Sequence, residues 1–195
     1  MSRLEIVKKR LGSLRGSLLE VGVHEGDFSR FLLRNTKDTT LYCVDPYRKF
    51  GDGEYKDAMN DKSQADFDRM FEGVRASLTA EFGQRVAMVR KLSAEAAPLF
   101  PNKSLAFVYI DGNHGFSHVL ADIETWLPKV QTGGILAGDD VCDFDETRRD
   151  ADGNVRMDWS PGCYGYYGVY KALCVAKEKF GIDFVIEGTQ FFIQC

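Results

Sequence analysis

The chain has 195 residues, 25 of them Lys or Arg and 29 Asp or Glu, for a formal charge of -4; hydrophobic residues make up 44%. That is the ordinary balance of a soluble globular protein, long enough for one domain with a full core. The mild acidity gives no general pull toward nucleic acid or anionic lipid, no apolar run nears the roughly 20 residues of a membrane span, and the N-terminus lacks the apolar core of a signal peptide.

A leading helix, with Leu4, Val7 and Leu11 on one side, precedes the first apolar run at 17–23. Phe28, Phe31, Leu32 and Asn35 follow at helical spacing, then a run at 41–45. The segment 64–82 puts Phe67, Met70, Phe71, Val74 and Leu78 on one stripe, ahead of runs at 85–89 and 105–111. Val119, Leu120, Ile123, Trp126 and Leu127 make the next stripe, with Ser117 as candidate N-cap and Pro128 as stop. After a run at 134–139, a helix through Val169, Ala172, Leu173, Ala176 and Phe180 closes at Gly181. Several runs are continuous rather than alternating, as a parallel sheet covered on both faces requires, so the class is α/β. The last two runs, 183–187 and 190–194, are joined by a link too short for a helical crossover. They form an antiparallel hairpin, unlike the all-parallel dinucleotide fold.

Two stretches fall outside this alternation. One is polar, 46–63; the other is 141–168, with a charged hairpin expected over 148–159 around Asp152-Gly153 and a Gly/Tyr-rich stretch over 161–168. Both leave carboxyl ends of strands, where open α/β sheets bind ligands, so they read as surface insertions or as substrate lids over a single domain spanning 1–195. The five cysteines (Cys43, Cys142, Cys163, Cys174, Cys195) form no C-x-x-C pair, which suits reduced thiols in the cytoplasm better than disulfides or zinc.

The first strand runs into Glu20-Val-Gly-Val-His-Glu-Gly-Asp-Phe-Ser29. Gly22 and Gly26 let the backbone turn tightly and approach a ligand. A phosphate loop of the form G-x-G-x-x-G would need glycine where His24 and Asp27 stand, and Glu25 and Asp27 would repel a pyrophosphate. With Glu20 at the strand end, the pocket suits a cationic ligand such as an amino group. Asp45, 23 residues past Gly22, is positioned to accept from both hydroxyls of a ribose; the alternative is a turn-starting Asp before Pro46. An amino-acid end and a ribose without phosphate describe S-adenosylmethionine.

With this pattern the chain resembles the class I S-adenosylmethionine-dependent methyltransferases. The match is closest to a small bacterial-type group related to macrocin-type O-methyltransferases, with E-x-G-x-x-x-G-x-[ST], a strand ending in D, then D-x-x-H and G-G-x-x-x-x-[HD]-D. Here these are Glu20 to Ser29, Asp45, Asp111-Gly-Asn-His114 and Gly133-Gly134-Ile-Leu-Ala-Gly-Asp139-Asp140. The resemblance implies a Rossmann-like seven-stranded mixed sheet, order 3-2-1-4-5-7-6 with strand 7 antiparallel. It implies a cofactor site of Glu20, Gly22, Gly26, Ser29, Asp45, Ser93 and Asp111. Glu20 and Gly22 would face the methionine part, Asp45 the ribose and Ser93 the adenine edge, although Ser93 could equally cap the helix it opens.

Asp111, Asp139 and Asp140 end neighbouring strands about 4.8 Å apart, and their mutual repulsion calls for a cation or for protons to compensate it. Oxygen ligands favour Mg²⁺ or another hard divalent ion, and the resemblance implies Mg²⁺, which related metal-dependent O-methyltransferases hold against substrate oxygens. The alternative is helix caps and solvated strand ends. Many look-alikes read Gly-His-Asp-Tyr where this chain has Gly138-Asp139-Asp140-Val141, and some carry an acid where Asn113 stands. Asn cannot act as a base, so the catalytic pair expected is Asp111 with His114, since histidine ordinarily titrates near neutrality. A loop-packing, helix-capping histidine is the competing reading. His118 is expected on a solvated helix start, Trp126 in the core, and Tyr164, Tyr166 and Tyr167 in an acceptor pocket or in packing of the insertion.

The function expected is methylation of a hydroxyl on a small molecule or sugar, assisted by Mg²⁺, with no nucleic acid or membrane partner and a homodimer left open. Two rivals are a nucleotide-binding oxidoreductase using NAD and a non-catalytic module that binds S-adenosylmethionine.

Overall fold

A computed structural model describes residues 2–12, 14–51, 53–55, 57–160 and 163–195. Helix α1 (Arg3–Leu11) starts at a capping box: the Ser2 hydroxyl accepts from the Glu5 amide and the Glu5 carboxylate accepts from the Ser2 amide. It buries Ile6, Val7 and Leu11, whereas Leu4, expected on that side, is exposed. Then follow β1 (Ser17–Val21), α2 (Asp27–Arg34), β2 (Leu41–Val44), α3 (Gln64–Phe82), β3 (Val86–Val89) and the short α4 (Ser93–Ala96). Strand β4 (Leu105–Ile110), α5 (Phe116–Trp126) and β5 (Val130–Gly138) continue the alternation. A hairpin of β6 (Val155–Ser160) and β7 (Cys163–Tyr167) precedes α6 (Val169–Phe180), and β8 (Phe184–Glu187) and β9 (Gln190–Gln194) end the chain.

The main sheet runs β3-β2-β1-β4-β5-β9-β8, with β9 antiparallel to both neighbours and the other pairings parallel. Counted along that sheet alone, it is the expected 3-2-1-4-5-7-6. Every residue of β4 is buried, which is why its sequence is apolar without alternation. One face is covered by α1, α2 and α3 through Val7, Leu32 and Leu78; the other by α4, α5 and α6 through Ala96, Ile123, Trp126 and Leu173. Each such fully buried large side chain contributes roughly 1.5–3 kcal/mol of transfer free energy. Among the described residues, no helix is long and apolar enough to cross a membrane.

Register sets up the site. Val21 lies level with Val44 and Ile110, and Ile110 with Gly138, so Gly22, Asp45, Asp111 and Asp139 leave four strands at one edge.

Two local expectations are corrected. Helix α5 starts after Gly115 rather than at Ser117: the side-chain oxygens of Asn113 and Asn154 accept from the Gly115 and Phe116 amides, at 2.9 and 2.7 Å, and satisfy its first donors. The turn around Asp152-Gly153 closes only a single bridge, Arg149 to Val155. The ladder instead pairs Val155 with Tyr167 and Asp158 with Tyr164, so the Tyr-rich stretch supplies the second strand. Pro161 and Gly162 of that stretch lie outside the described residues.

Candidate active site

At the carboxyl edge of β1, β2 and β4 lies a cavity of about 1000 Å³, walled by the first turn of α5, the 46–59 segment and Tyr167. Its floor depends on Gly22, whose φ is +86°. A Cβ there would stand 2.1 Å from the Asp111 carbonyl oxygen and 2.7 Å from Gly112 Cα, so only glycine lets the β1 and β4 exits pass each other. Gly26 serves packing: it caps α2 in the left-handed conformation, and a Cβ would meet Val74 of α3 at 2.9 Å.

Asp45 locks the loop from the next strand. Its Oδ2 accepts from the Val23 and His24 amides at 2.9 and 3.1 Å, and Oδ1 from the Tyr47 amide at 2.7 Å. The Tyr47 hydroxyl donates to the His24 carbonyl at 2.8 Å. The carboxylate still lines the cavity, and a carboxylate has about four acceptor positions.

Glu20 borders the cavity but is 1% exposed, and burial pushes its carboxyl well above the ordinary carboxylate range. The hydroxyl of the fully buried Ser29 donates to it, and the Cys43 thiol donates to Ser29 at 3.5 Å. Ser29 therefore acts through Glu20 and does not line the cavity. Ser93 does, with its hydroxyl already engaged: it donates to Asp122 at 2.5 Å and accepts from the indole N–H of Trp126 at 2.7 Å. Burial raises the Asp122 carboxyl to about 6. Trp126 is fully buried, as expected of a core residue, and His118 sits exposed at the cavity rim.

Of the three aspartates, Asp111 and Asp140 come together, while Asp139 is held by other partners. Asp139 is 4% exposed; its Oδ1 accepts from the Thr189 hydroxyl at 2.7 Å and its Oδ2 faces Arg3 Nε at 2.7 Å. The Arg3 guanidinium also bonds Asp111. Asp140, with a φ of +60°, turns the other way and puts Oδ2 3.2 Å from His114 Nε2. His114 stacks flat on Tyr167, ring centroids 5.1 Å apart. The donor atoms that come together are thus those of Asp111, His114 and Asp140, within 4.8 Å of one another. Burial raises the carboxyls of Asp111 and Asp140. Capping of α5 falls to the asparagines, leaving the His114 imidazole in the cavity.

Arg3 escaped the sequence reading because its partners lie more than a hundred positions away. A cue existed: a cation on the first turn of a helix opposes the macrodipole and needs another reason to be there. Tyr164 and Tyr166 line a separate polar cleft of about 370 Å³, with Lys49, Asn60 and Arg156, between the 46–63 segment and the β6-β7 hairpin. Tyr55 and Asp57 border both spaces.

A seven-stranded sheet in this order, with its last strand antiparallel, is the fold of a class I S-adenosylmethionine-dependent methyltransferase. A family model described as "Methyltransferase domain" matches residues 19–141, and the chain belongs to that family. No curated protein sequence matches it significantly. Among solved structures, cofactor-bound Rv0187 from MTB superposes with a TM-score of 0.68 at 15% identity, over 100% of this chain and 80% of that one. The O-methyltransferase NovP gives 0.63 at 19% identity, over 98% and 78%. CalS11, a TDP-rhamnose 3'-O-methyltransferase of calicheamicin biosynthesis, gives 0.58 at 12%, over 98% and 76%.

Proposed function

We propose that the chain moves the methyl group of S-adenosylmethionine to a hydroxyl of a small molecule or sugar. The observation that carries this is the His114–Asp140 pair, 3.2 Å apart at the mouth of the cavity beside the ring of Tyr167. The likeness to NovP and to a sugar O-methyltransferase supports a hydroxyl as acceptor. Glu20 and Gly22 would hold the cofactor's methionine end, Asp45 its ribose, and Ser93 with Asp122 its adenine. Gly26 and Ser29 shape this site from behind.

The acceptor oxygen attacks the methyl carbon in line with the carbon–sulfur bond, whose electrons pass to sulfur and leave neutral S-adenosylhomocysteine. The hydroxyl proton passes to the free ring nitrogen of His114, while Asp140, facing Nε2, orients the ring and stabilises the imidazolium. The segments 46–63 and 141–168 act as acceptor lids, and the free cysteines fit a cytoplasmic setting.

The all-oxygen Mg²⁺ cage expected from Asp111, Asp139 and Asp140 does not fit these residues. Asp139 is engaged by Arg3 and Thr189, and the donors that do meet include an imidazole nitrogen, which Mg²⁺ disfavours. His114 as a ligand could not also serve as base, so no step runs through a metal.

The test is the thermal midpoint with S-adenosylhomocysteine beside a sample with NAD. Ligand at 100 times its Kd stabilises by about 2.7 kcal/mol. A shift with S-adenosylhomocysteine alone is expected; a shift with NAD alone would overturn the reading.

A further inference from the structure

The guanidinium of Arg3 stands between Asp111 and Asp139, bonded to one and 2.7 Å from the other. Neighbouring groups build this position. The capping box at Ser2 starts the helix there. The 1%-exposed Gln190 of β9 donates from its side chain to the Arg3 carbonyl at 3.1 Å and accepts from the Tyr109 hydroxyl at 3.0 Å. The guanidinium lies over the rings of Phe28 and Tyr109, 4.9 and 5.6 Å from their centroids.

The charge balance explains why a cation belongs here. Asp139 is buried, and a buried carboxylate persists only with a counter-charge. Among the described residues, the other arginine lining the cavity, Arg48, lies over Phe50. A divalent ion could bridge Asp111 and Asp139 only by displacing the guanidinium, because two cations at bonding distance from the same carboxylates repel each other.

We propose that Arg3 is the built-in cation of this site, standing where a divalent ion would otherwise bridge Asp111 and Asp139, so that methyl transfer in this chain runs without bound metal. The second clause rests on the methyl-transfer reading; the first does not. Arg3 is a positioning residue, supplying the counter-charge between Asp111 and Asp139 and keeping Asp139 out of the group that Asp111 forms with His114 and Asp140.

The test is Mn²⁺ binding by electron paramagnetic resonance on the full chain, wild type beside Arg3→Gln and Arg3→Lys, with thermal midpoints to report folding. Wild type and Arg3→Lys are expected to bind no stoichiometric Mn²⁺. In Arg3→Gln, affinity for one Mn²⁺ rises by about tenfold or more and is lost again on adding Asp139→Asn. Stoichiometric Mn²⁺ on the wild type, abolished by Asp139→Asn or by His114→Ala, overturns the proposal even where Arg3→Gln fails to fold. A folded Arg3→Gln that binds no Mn²⁺ overturns it equally. Methyl transfer surviving exhaustive chelation is the expected companion result, and its loss counts against the metal-free clause. An absent S-adenosylhomocysteine shift would sink the methyl-transfer reading while leaving the Mn²⁺ result to stand or fall by itself.

Discussion

Replacing Gly22 by alanine tests the floor of the cavity and the fold together. The new Cβ would lie 2.1 Å from the Asp111 carbonyl oxygen and 2.5 Å from its carbon, both backbone atoms of the β4 exit, so no flexible side chain can yield. A left-handed φ of +86° adds its own cost, about 1–2 kcal/mol for a residue with a Cβ. Overpacking adds about 1–3 kcal/mol, and the sum of about 2–5 kcal/mol lowers the midpoint of a chain this long by roughly 4–20 °C. Gly133→Ala separates the two effects: its φ is +81°, yet a Cβ there meets nothing within 4 Å. That variant should lose only the conformational part, roughly 2–8 °C. Displacing Asp111 and Gly112 by a fraction of an ångström should also weaken S-adenosylhomocysteine binding by about tenfold to a hundredfold, while Gly133→Ala leaves it unchanged. Differential scanning calorimetry and ligand titration read both. If Gly22→Ala is no less stable than Gly133→Ala and binds the ligand as well, the close passage of the two strand exits is not what glycine is there for.

His114→Ala should cut turnover by about 100- to 10,000-fold while S-adenosylhomocysteine affinity stays within a few-fold, since the imidazole faces Asp140 and Tyr167 rather than the Asp45 end. Turnover that survives would remove His114 as base; steady-state kinetics with calorimetric titration decides. Asp122 carries a pH signature: its folded carboxyl is raised from 3.8 to about 6, so the fold penalises the ionised form and stability is lost as pH climbs through that window. Asp122→Asn keeps an acceptor for the Ser93 hydroxyl and should match wild type below pH 3.8 but exceed it above 6. The gain is at most about 3 kcal/mol, and superimposable midpoint profiles from pH 4 to 8 would contradict it.

The parts of the fold that were legible in the sequence were those decided by local pattern. The unbroken apolar run of β4 announces burial on both faces, and the short Gly188-Thr189 link permits only the β8-β9 hairpin. Gly22 and Asp45 stand at strand ends and therefore at the cavity, wherever the helices dock. Contacts set by docking were not legible. Arg3 reaches Asp111 only because α1 packs Ile6, Val7 and Leu11 against the sheet, and the partner of β6 depends on which of two turns closes.

The aspartate cluster lies between these cases, and its resolution was within reach of strand geometry. Successive strand residues point to opposite faces, so adjacent Asp139 and Asp140 cannot both follow β5 toward Asp111. The register carries on past Ile110 and Gly138, with the Asp139 amide donating to the Ile110 carbonyl at 3.2 Å. Asp111 and Asp139 are therefore level and share one side, where one guanidinium takes both. Asp140 must leave strand geometry to do anything else. Its φ of +60° is a conformation that aspartate tolerates better than most residues, and it carries the carboxylate to His114. An acid pair at the end of a buried strand thus reads as two roles on two sides: one carboxylate that needs a buried cation, and one that is free to orient a base.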